Sequence, residues 1–323
     1  MSPRFVDLTD AHVAEASALA EAELAREVIH VPALARADAS AVLAEQVAGI
    51  IRDGVGGVAA MDGDRLAGYL VFYGPISGFF GTVDGAFSPL HGHAATGENR
   101  ERLSSLILQH AMTALVDQGV TSLAITAWAH DDDTSRAFQV NGFGIHNADA
   151  IRDLSLPFPF APVANVTCRE LTGDDIALVA PLENALRRHL RLSPTFFPAP
   201  EITESAFMDE QAEEGARFFG AWIDGTLTGY VKVSDEGENF ITTDPGMPNI
   251  SGAYLLPEHR GRGVYDSLVA FTANILRGEG ARLLGVDFET LNPTALHFWS
   301  RYFEIYTYSH AHRIDERTLG FRR

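Results

Sequence analysis

The sequence repeats itself, and that repeat limits the folds open to it more than any other feature. Leu8-Thr9, in the run Phe5-Val6-Asp7-Leu8-Thr9-Asp10, returns as Leu171-Thr172. Leu66-Ala67-Gly68-Tyr69-Leu70 returns as Leu227-Thr228-Gly229-Tyr230-Val231, and Gly119, closing an apolar helix, returns as Gly280. The separations are 163, 161 and 161 residues. Near-constant offsets over three blocks mean two copies of one supersecondary plan, and a length of 323 residues suits two domains. The join falls in Leu156-Pro157-Phe158-Pro159-Phe160-Ala161-Pro162, because alternating prolines fit neither a central strand nor a helix interior. The expected division is therefore 1–155, a linker at 156–162, and 163–323.

Within each copy the patterns run in the same order. A short strand leads to a helix entered near an acidic residue, Asp10 or Asp174. A β-rich hairpin follows, turning at Asp62-Gly63 or Asp224-Gly225. A further strand, an amphipathic helix (Leu103 to Val116; Val264 to Leu276), a strand (Ser122 to Trp128; Leu283 to Phe288), a short helix and a terminal strand complete the copy. This predicts an α+β class: two domains, each a mixed, mostly antiparallel sheet flanked by helices.

The chemistry concentrates in the second copy. There an apolar strand passes through Pro257 into Arg260-Gly261-Arg262-Gly263 and then into a helix whose face carries Val264, Leu268, Phe271 and Ile275. A helix N-terminus presents unpaired N–H groups and about +0.5 of a charge. Gly261 and Gly263 let backbone approach a ligand, and Gly263 suits positive φ. With Arg260 and Arg262 beside it, the loop reads as a phosphate or pyrophosphate site. It is neither a G-x-x-x-x-G-K-[ST] loop nor a full G-x-G-x-x-G. At the corresponding place, copy one has Asn99-Arg100-Glu101-Arg102, with no glycine and an acidic side chain, and is expected not to hold a phosphate.

Arg260 to Tyr265 resembles the R-x-x-G-x-[GA] motif of the GNAT superfamily of acetyl-CoA-dependent N-acetyltransferases, with Tyr265 where that family has Gly or Ala. Asn292-Pro293-Thr294-Ala295-Leu296-His297-Phe298-Trp299 resembles the N-x-x-A-x-x-[FY]-[YW] element of the same family, although a capped amphipathic helix would give the same pattern. The element order matches the family twice over. The resemblance implies a tandem GNAT chain with a degenerate N-terminal copy. Acetyl-CoA would lie against Tyr254, Leu255, the Arg260–Tyr265 loop including Val264, Asn292 and Phe298. It also implies direct attack by a small-molecule amine, with Glu289 as first choice of base, Asp287 as second, and Tyr302 as acid because Trp299 stands where the family often has Tyr. Tyr265 and Tyr306 are the other tyrosines in reach of that role. The segment Leu192 to Pro198 reads either as a wall of the acceptor pocket or as core.

Composition narrows the partners. A formal charge of −19, from 24 basic and 43 acidic residues, argues against nucleic acid and hence against aminoacyl-tRNA-dependent transfer, while it favours approach of cationic amines. One cysteine, Cys168, excludes an internal disulfide. His91-Gly92-His93 and Asp131-Asp132-Asp133 read as exposed loop residues, so no metal is expected. No secretion signal or membrane-length apolar run is seen, which predicts a cytoplasmic protein; a monomer or homodimer is expected, with the sequence not choosing between them. The competing readings are a mycothiol-synthase-like acetyltransferase and a CoA-binding sensor without turnover.

Overall fold

The computed structural model describes residues 3–37, 39–78, 81–159, 163–235, 237 and 239–321. Phe160, Ala161 and Pro162 of the expected linker lie outside the described residues. Two compact units are present: Met1–Ala148 with Asn239–Ile241 and Ile305–Arg323, and Asp149–Glu238 with Thr242–Glu304.

Copy one contributes β1 (Arg4–Asp7), α1 (Val13–His30), α2 (Ser40–Asp53), β2 (Val55–Asp62), β3 (Arg65–Ile76), β4 (Gly85–Ser88), β5 (His93–Ala95), α3 (Arg100–Asp117), β6 (Ser122–Trp128), α4 (Asp132–Val140) and β7 (Gly144–Asp153). Copy two contributes β8 (Val166–Leu171), α5 (Ala180–Leu190), α6 (Glu204–Glu214), β9 (Arg217–Ile223), β10 (Thr226–Ser234), β11 (Asn249–Leu255), α7 (Val264–Gly278), β12 (Leu283–Glu289), α8 (Pro293–Trp299) and β13 (Glu304–Arg313). The expected order is met in both copies, with β5 as an extra short strand in the first. Both predicted hairpins form: the second turns at Asp224-Gly225 as expected, whereas in the first Asp62 still pairs with Arg65 and the turn is Gly63-Asp64, with Gly63, Asp224 and Gly225 at positive φ.

In the first unit β1, β2, β3 and β4 pair antiparallel in that order, and β6 follows parallel to β4. All seven residues of β6 are buried, so the strand needs a partner on each edge. Its second partner is β13, paired antiparallel from Thr307↔Trp128 to Arg313↔Ser122. The closing strand of the second copy therefore belongs to the first unit. Conversely, the Asp149–Asp153 half of β7 counts with the second unit, where β7 neighbours β12 and Leu154 N–H donates to Arg282 O at 3.0 Å. The division at 156–162 differs from this on both sides. The physical reason is that each copy's last strand follows the same pattern, and nothing in that pattern says which sheet edge it completes.

The second unit orders its strands β12-β11-β10-β9-β8. Its core gathers Leu171, Val179, Phe207, Phe218, Tyr230 and Tyr254 beneath α5 and α6. Arg152 clasps the start of the linker: its guanidinium donates to Leu156 O at 3.2 Å and Pro157 O at 2.9 Å, and lies 4.0 Å over the Phe158 ring. No helix among the described residues is long and apolar enough to cross a membrane.

The histidines expected on an exposed loop are in fact core. His91 is 5% and His93 8% exposed, and only Asp132 and Asp133 of the acidic run face solvent. A glycine is needed between the two histidines, because a Cβ at Gly92 would lie 2.4 Å from Ser88 Oγ. Among the described residues no group of His, Cys, Asp and Glu is placed to hold a metal. Burial pushes His91 down to about 4, so it is neutral when folded at pH 7 but titrates near 6.5 when unfolded. The unfolded state therefore takes up the proton first on acidification, and stability is lost as pH falls from 6.5 towards 4. His91 alone is expected to remove about 2 kcal/mol of unfolding free energy between pH 7 and pH 5. Urea denaturation of His91→Phe should show that much less acid sensitivity than the parent; equal sensitivity would contradict the neutral buried state.

Candidate active site

The second unit holds a place where two parallel strands begin together and then part. β11 and β12 pair only at Asn249↔Gly285 and Ile250↔Val286, although each strand is seven residues long. Beyond that point β11 continues its ladder with β10, through Tyr254↔Tyr230 and Leu255↔Gly229. Ser251 is exposed and Gly252 and Ala253 are half-buried. One edge of this stretch thus offers backbone N–H and C=O groups to an extended ligand.

The glycine loop stands at the end of β11. Gly261 has φ +70° and Gly263 φ +74°, and Gly263 caps α7 in the left-handed conformation. A Cβ at Gly261 would meet nothing within 4 Å, so the loop is open on that side, whereas one at Gly263 would come within 2.8 Å of Val163 Cγ2. Arg260 is fixed by its Nε donating to Leu255 O at 3.0 Å and lies 5.3 Å over the Tyr254 ring. Its terminal nitrogens remain as donors of the planar fork. Arg262 is exposed. The Tyr254, Leu255 and Val264 side chains are buried, so these three can serve a ligand only through their main chain.

Where the family pattern has a small residue, Tyr265 packs into an aromatic cluster. Its ring centroid lies 5.1 Å from Phe298 and 6.0 Å from Trp299, and its hydroxyl donates to Tyr230 O at 3.3 Å. Asn292 caps α8: its Oδ1 accepts from Thr294 N at 3.3 Å, Ala295 N at 3.4 Å and Thr294 Oγ1 at 2.7 Å. The oxygen is therefore spent on the helix, and the amide nitrogen is the half able to meet a ligand carbonyl.

Two carboxylates share one face of β12 at its open end. Burial, then the charge of Asp287, pushes Glu289 above the usual carboxylate range. Burial also pushes Asp287 up, opposed by the hydrogen bond that Asn249 Nδ2 donates to its Oδ1 at 2.9 Å. That bond exists because residue 285 is glycine: a Cβ there would lie 2.2 Å from Asn249 Oδ1. The Asn249–Asp287 pair was missed from the sequence, where its one signal is a glycine inside a buried strand.

Other expected roles change. The Tyr302 hydroxyl donates to Asp266 Oδ1 at 2.5 Å, in the first turn of α7, and burial followed by that carboxylate raises its pKa. It thus stands beside the glycine loop with its proton already engaged. Tyr306 is buried in the first unit, where its hydroxyl accepts from Asn239 Nδ2 at 2.9 Å. The Leu192–Pro198 segment is not core: Leu192 is 62%, Phe196 69% and Phe197 42% exposed. Burial lifts the Cys168 thiol to about 11, so it stays protonated and is no nucleophile near neutrality.

The matching region of the first unit is built differently. β4 pairs with β6 at all four of its residues, from Gly85↔Ser122 to Ser88↔Ile125. Past that point His93 Nε2, on β5, lies 2.8 Å from Thr126 O on β6 and bridges the two strands. At the start of α3, Arg100 is held by Glu23 at 3.2 Å and by Asp131, and Glu101 pairs with Arg136 at 3.4 Å.

Residues 184–304 match the acetyltransferase (GNAT) family model. No curated protein matches the chain. Among solved structures, a GCN5-related N-acetyltransferase from Sphaerobacter thermophilus is 15% identical, covering 84% of this chain and 85% of its own, with a TM-score of 0.54. A tandem GNAT protein from the clavulanic acid biosynthesis pathway is 18% identical over 97% of this chain and 98% of its own, with a TM-score of 0.46. A GCN5-related N-acetyltransferase from Kribbella flavida is 13% identical over 87% and 98%, with a TM-score of 0.45. Identities of this size speak to fold alone, and the first of the three shares it. Residues 184–304, within the second copy, are thus similar to the GNAT acetyltransferase family.

Proposed function

We propose that the second unit transfers an acetyl group from acetyl-CoA to a small-molecule amine, and that the first unit binds no CoA. The observation that carries this reading is the parting of β11 and β12 beside a left-handed glycine loop at the start of α7. The residues present fit the cofactor. The α7 N-terminus, Gly261, Gly263 and the Arg260 and Arg262 guanidiniums suit a pyrophosphate. The free edge of β11 suits the amide groups of a pantetheine arm, and the Asn292 nitrogen can donate to one of its carbonyls. When bound, acetyl-CoA supplies an activated acyl group on sulfur.

Glu289, or Asp287 behind it, takes the proton from the attacking amine. Their raised pKa values bring a carboxylate closer to the operating pH, where a base is most effective. Asn249 fixes the orientation of Asp287. A backbone N–H of β11 near the point of parting donates to the carbonyl oxygen as negative charge develops there. With the Tyr302 and Tyr265 hydroxyls both engaged, water returns a proton to the departing thiolate. The acidic surface draws in cationic amines, one of which must shed its proton before attack.

Two outcomes test this. CoA release from acetyl-CoA should be seen with at least one member of a panel of small primary amines. Glu289→Gln should then lower kcat by roughly 10²–10⁴-fold with little change in acetyl-CoA affinity. Cofactor binding without turnover across the panel would instead point to a CoA-binding sensor. Separately, calorimetric titration should show acetyl-CoA binding abolished by Gly263→Asp, which crowds Val163 and places a carboxylate at the phosphate loop. The exposed Arg102→Glu, in the first unit, should leave it unchanged; equal losses would overturn the one-site reading.

A further inference from the structure

The first unit has a cavity of its own at the head of α3, the place that corresponds to the glycine loop of the second unit. About 270 Å³ in volume, it opens between α1, the start of α3 and the turn after β6. This is close to the lower end of ordinary ligand sites, roughly 300 Å³, and suits a small molecule.

Its charges do not balance among themselves. Arg26 meets Glu23 at 2.6 Å, and Arg100 meets both Glu23, at 3.2 Å, and Asp131. Two guanidiniums are thereby matched by two carboxylates, and little is left over to attract an anion. Glu27 is the third carboxylate in the wall, and it is only 2% exposed. Its partners are on His130: Nδ1 lies 2.7 Å from Oε1, and the backbone N–H donates to Oε2 at 3.3 Å. A carboxylate has about four acceptor positions, so each oxygen keeps capacity for a further donor. Three carboxylates thus face two guanidiniums in this wall, and Glu27, held out of water where an unbalanced charge is costly, meets neither of them. Burial accordingly pushes Glu27 above the usual carboxylate range.

The rest of the wall is not that of a metal site. Trp128 supplies an aromatic surface, and Ile29, 76% exposed, supplies an apolar lip. An aromatic beside a buried carboxylate is the pairing that receives an organic cation. His30 stacks on His130 with centroids 4.7 Å apart and rings 5° from parallel.

We propose that this cavity binds a small organic ammonium ion, its charged head on Glu27 and its alkyl part along Trp128 and Ile29. The site lies wholly in the first unit and does not depend on where acetyl-CoA binds or whether turnover occurs.

Butylammonium chloride titrated into the full-length chain, without acetyl-CoA, tests this by calorimetry, with n-butanol as the uncharged control. Expected is saturable binding of butylammonium that persists in Glu289→Gln and is absent for n-butanol. Glu27→Gln should weaken it at least about tenfold, as loss of a hydrogen bond to a charged group does. Ile29→Trp, at an exposed lip position that does not burden folding, should block it as well. No saturable heat, binding indifferent to both Glu27→Gln and Ile29→Trp, or binding lost in Glu289→Gln but kept in Ile29→Trp would each overturn the proposal. The last of these would assign the amine to the second unit and leave the acetyltransferase reading standing.

Discussion

The parting of β11 from β12 is the constraint on which the chemistry proposed for the second unit depends. A parallel pair that stops after two residues leaves backbone donors and acceptors on one edge without strand partners, and such groups need a ligand or water. The surrounding structure holds the gap in place rather than closing it. Asn249 ties the last joined residues to Asp287 across the space that Gly285 vacates. Arg260 is anchored back onto Leu255, and the aromatic cluster of Tyr265, Phe298 and Trp299 packs α8 against α7. The glycine loop stands at the end of β11, and the carboxylates stand at the end of the strand that parts from it.

The first unit shows what the same plan becomes when the gap is closed. A histidine bridges the strands, and buried ion pairs replace the glycine loop at the head of α3. A buried arginine with two carboxylates is satisfied internally, so its charge is no longer available to a phosphate. On the proposed one-site reading the duplication leaves one half free to acquire other uses, and the ammonium site proposed at its acid-lined cavity is one such use.

Much of this was legible in the sequence because the relevant signals are local. The repeat offsets, the Asp-Gly turns and the Gly261–Gly263 spacing each reflect backbone conformation within a few residues. The parts that were not legible rest on contacts between distant residues. β13 and β7 carry the same pattern, so their exchange between units left no mark. His91 and His93 look like loop residues until β3 and β6 cover them. Asn292 has one amide for two tasks, and only the structure shows that the helix takes its oxygen. The Tyr302 hydroxyl was free in the sequence and is bound to Asp266 in the fold.

The most direct test of this account is a crystal structure of the full-length chain with acetyl-CoA. The account predicts electron density for the pyrophosphate at the Gly261–Gly263 turn, with the pantetheine arm along the edge of β11 and the thioester facing Glu289. Density for the cofactor in the first unit, or none in either unit at saturating concentration, would contradict it.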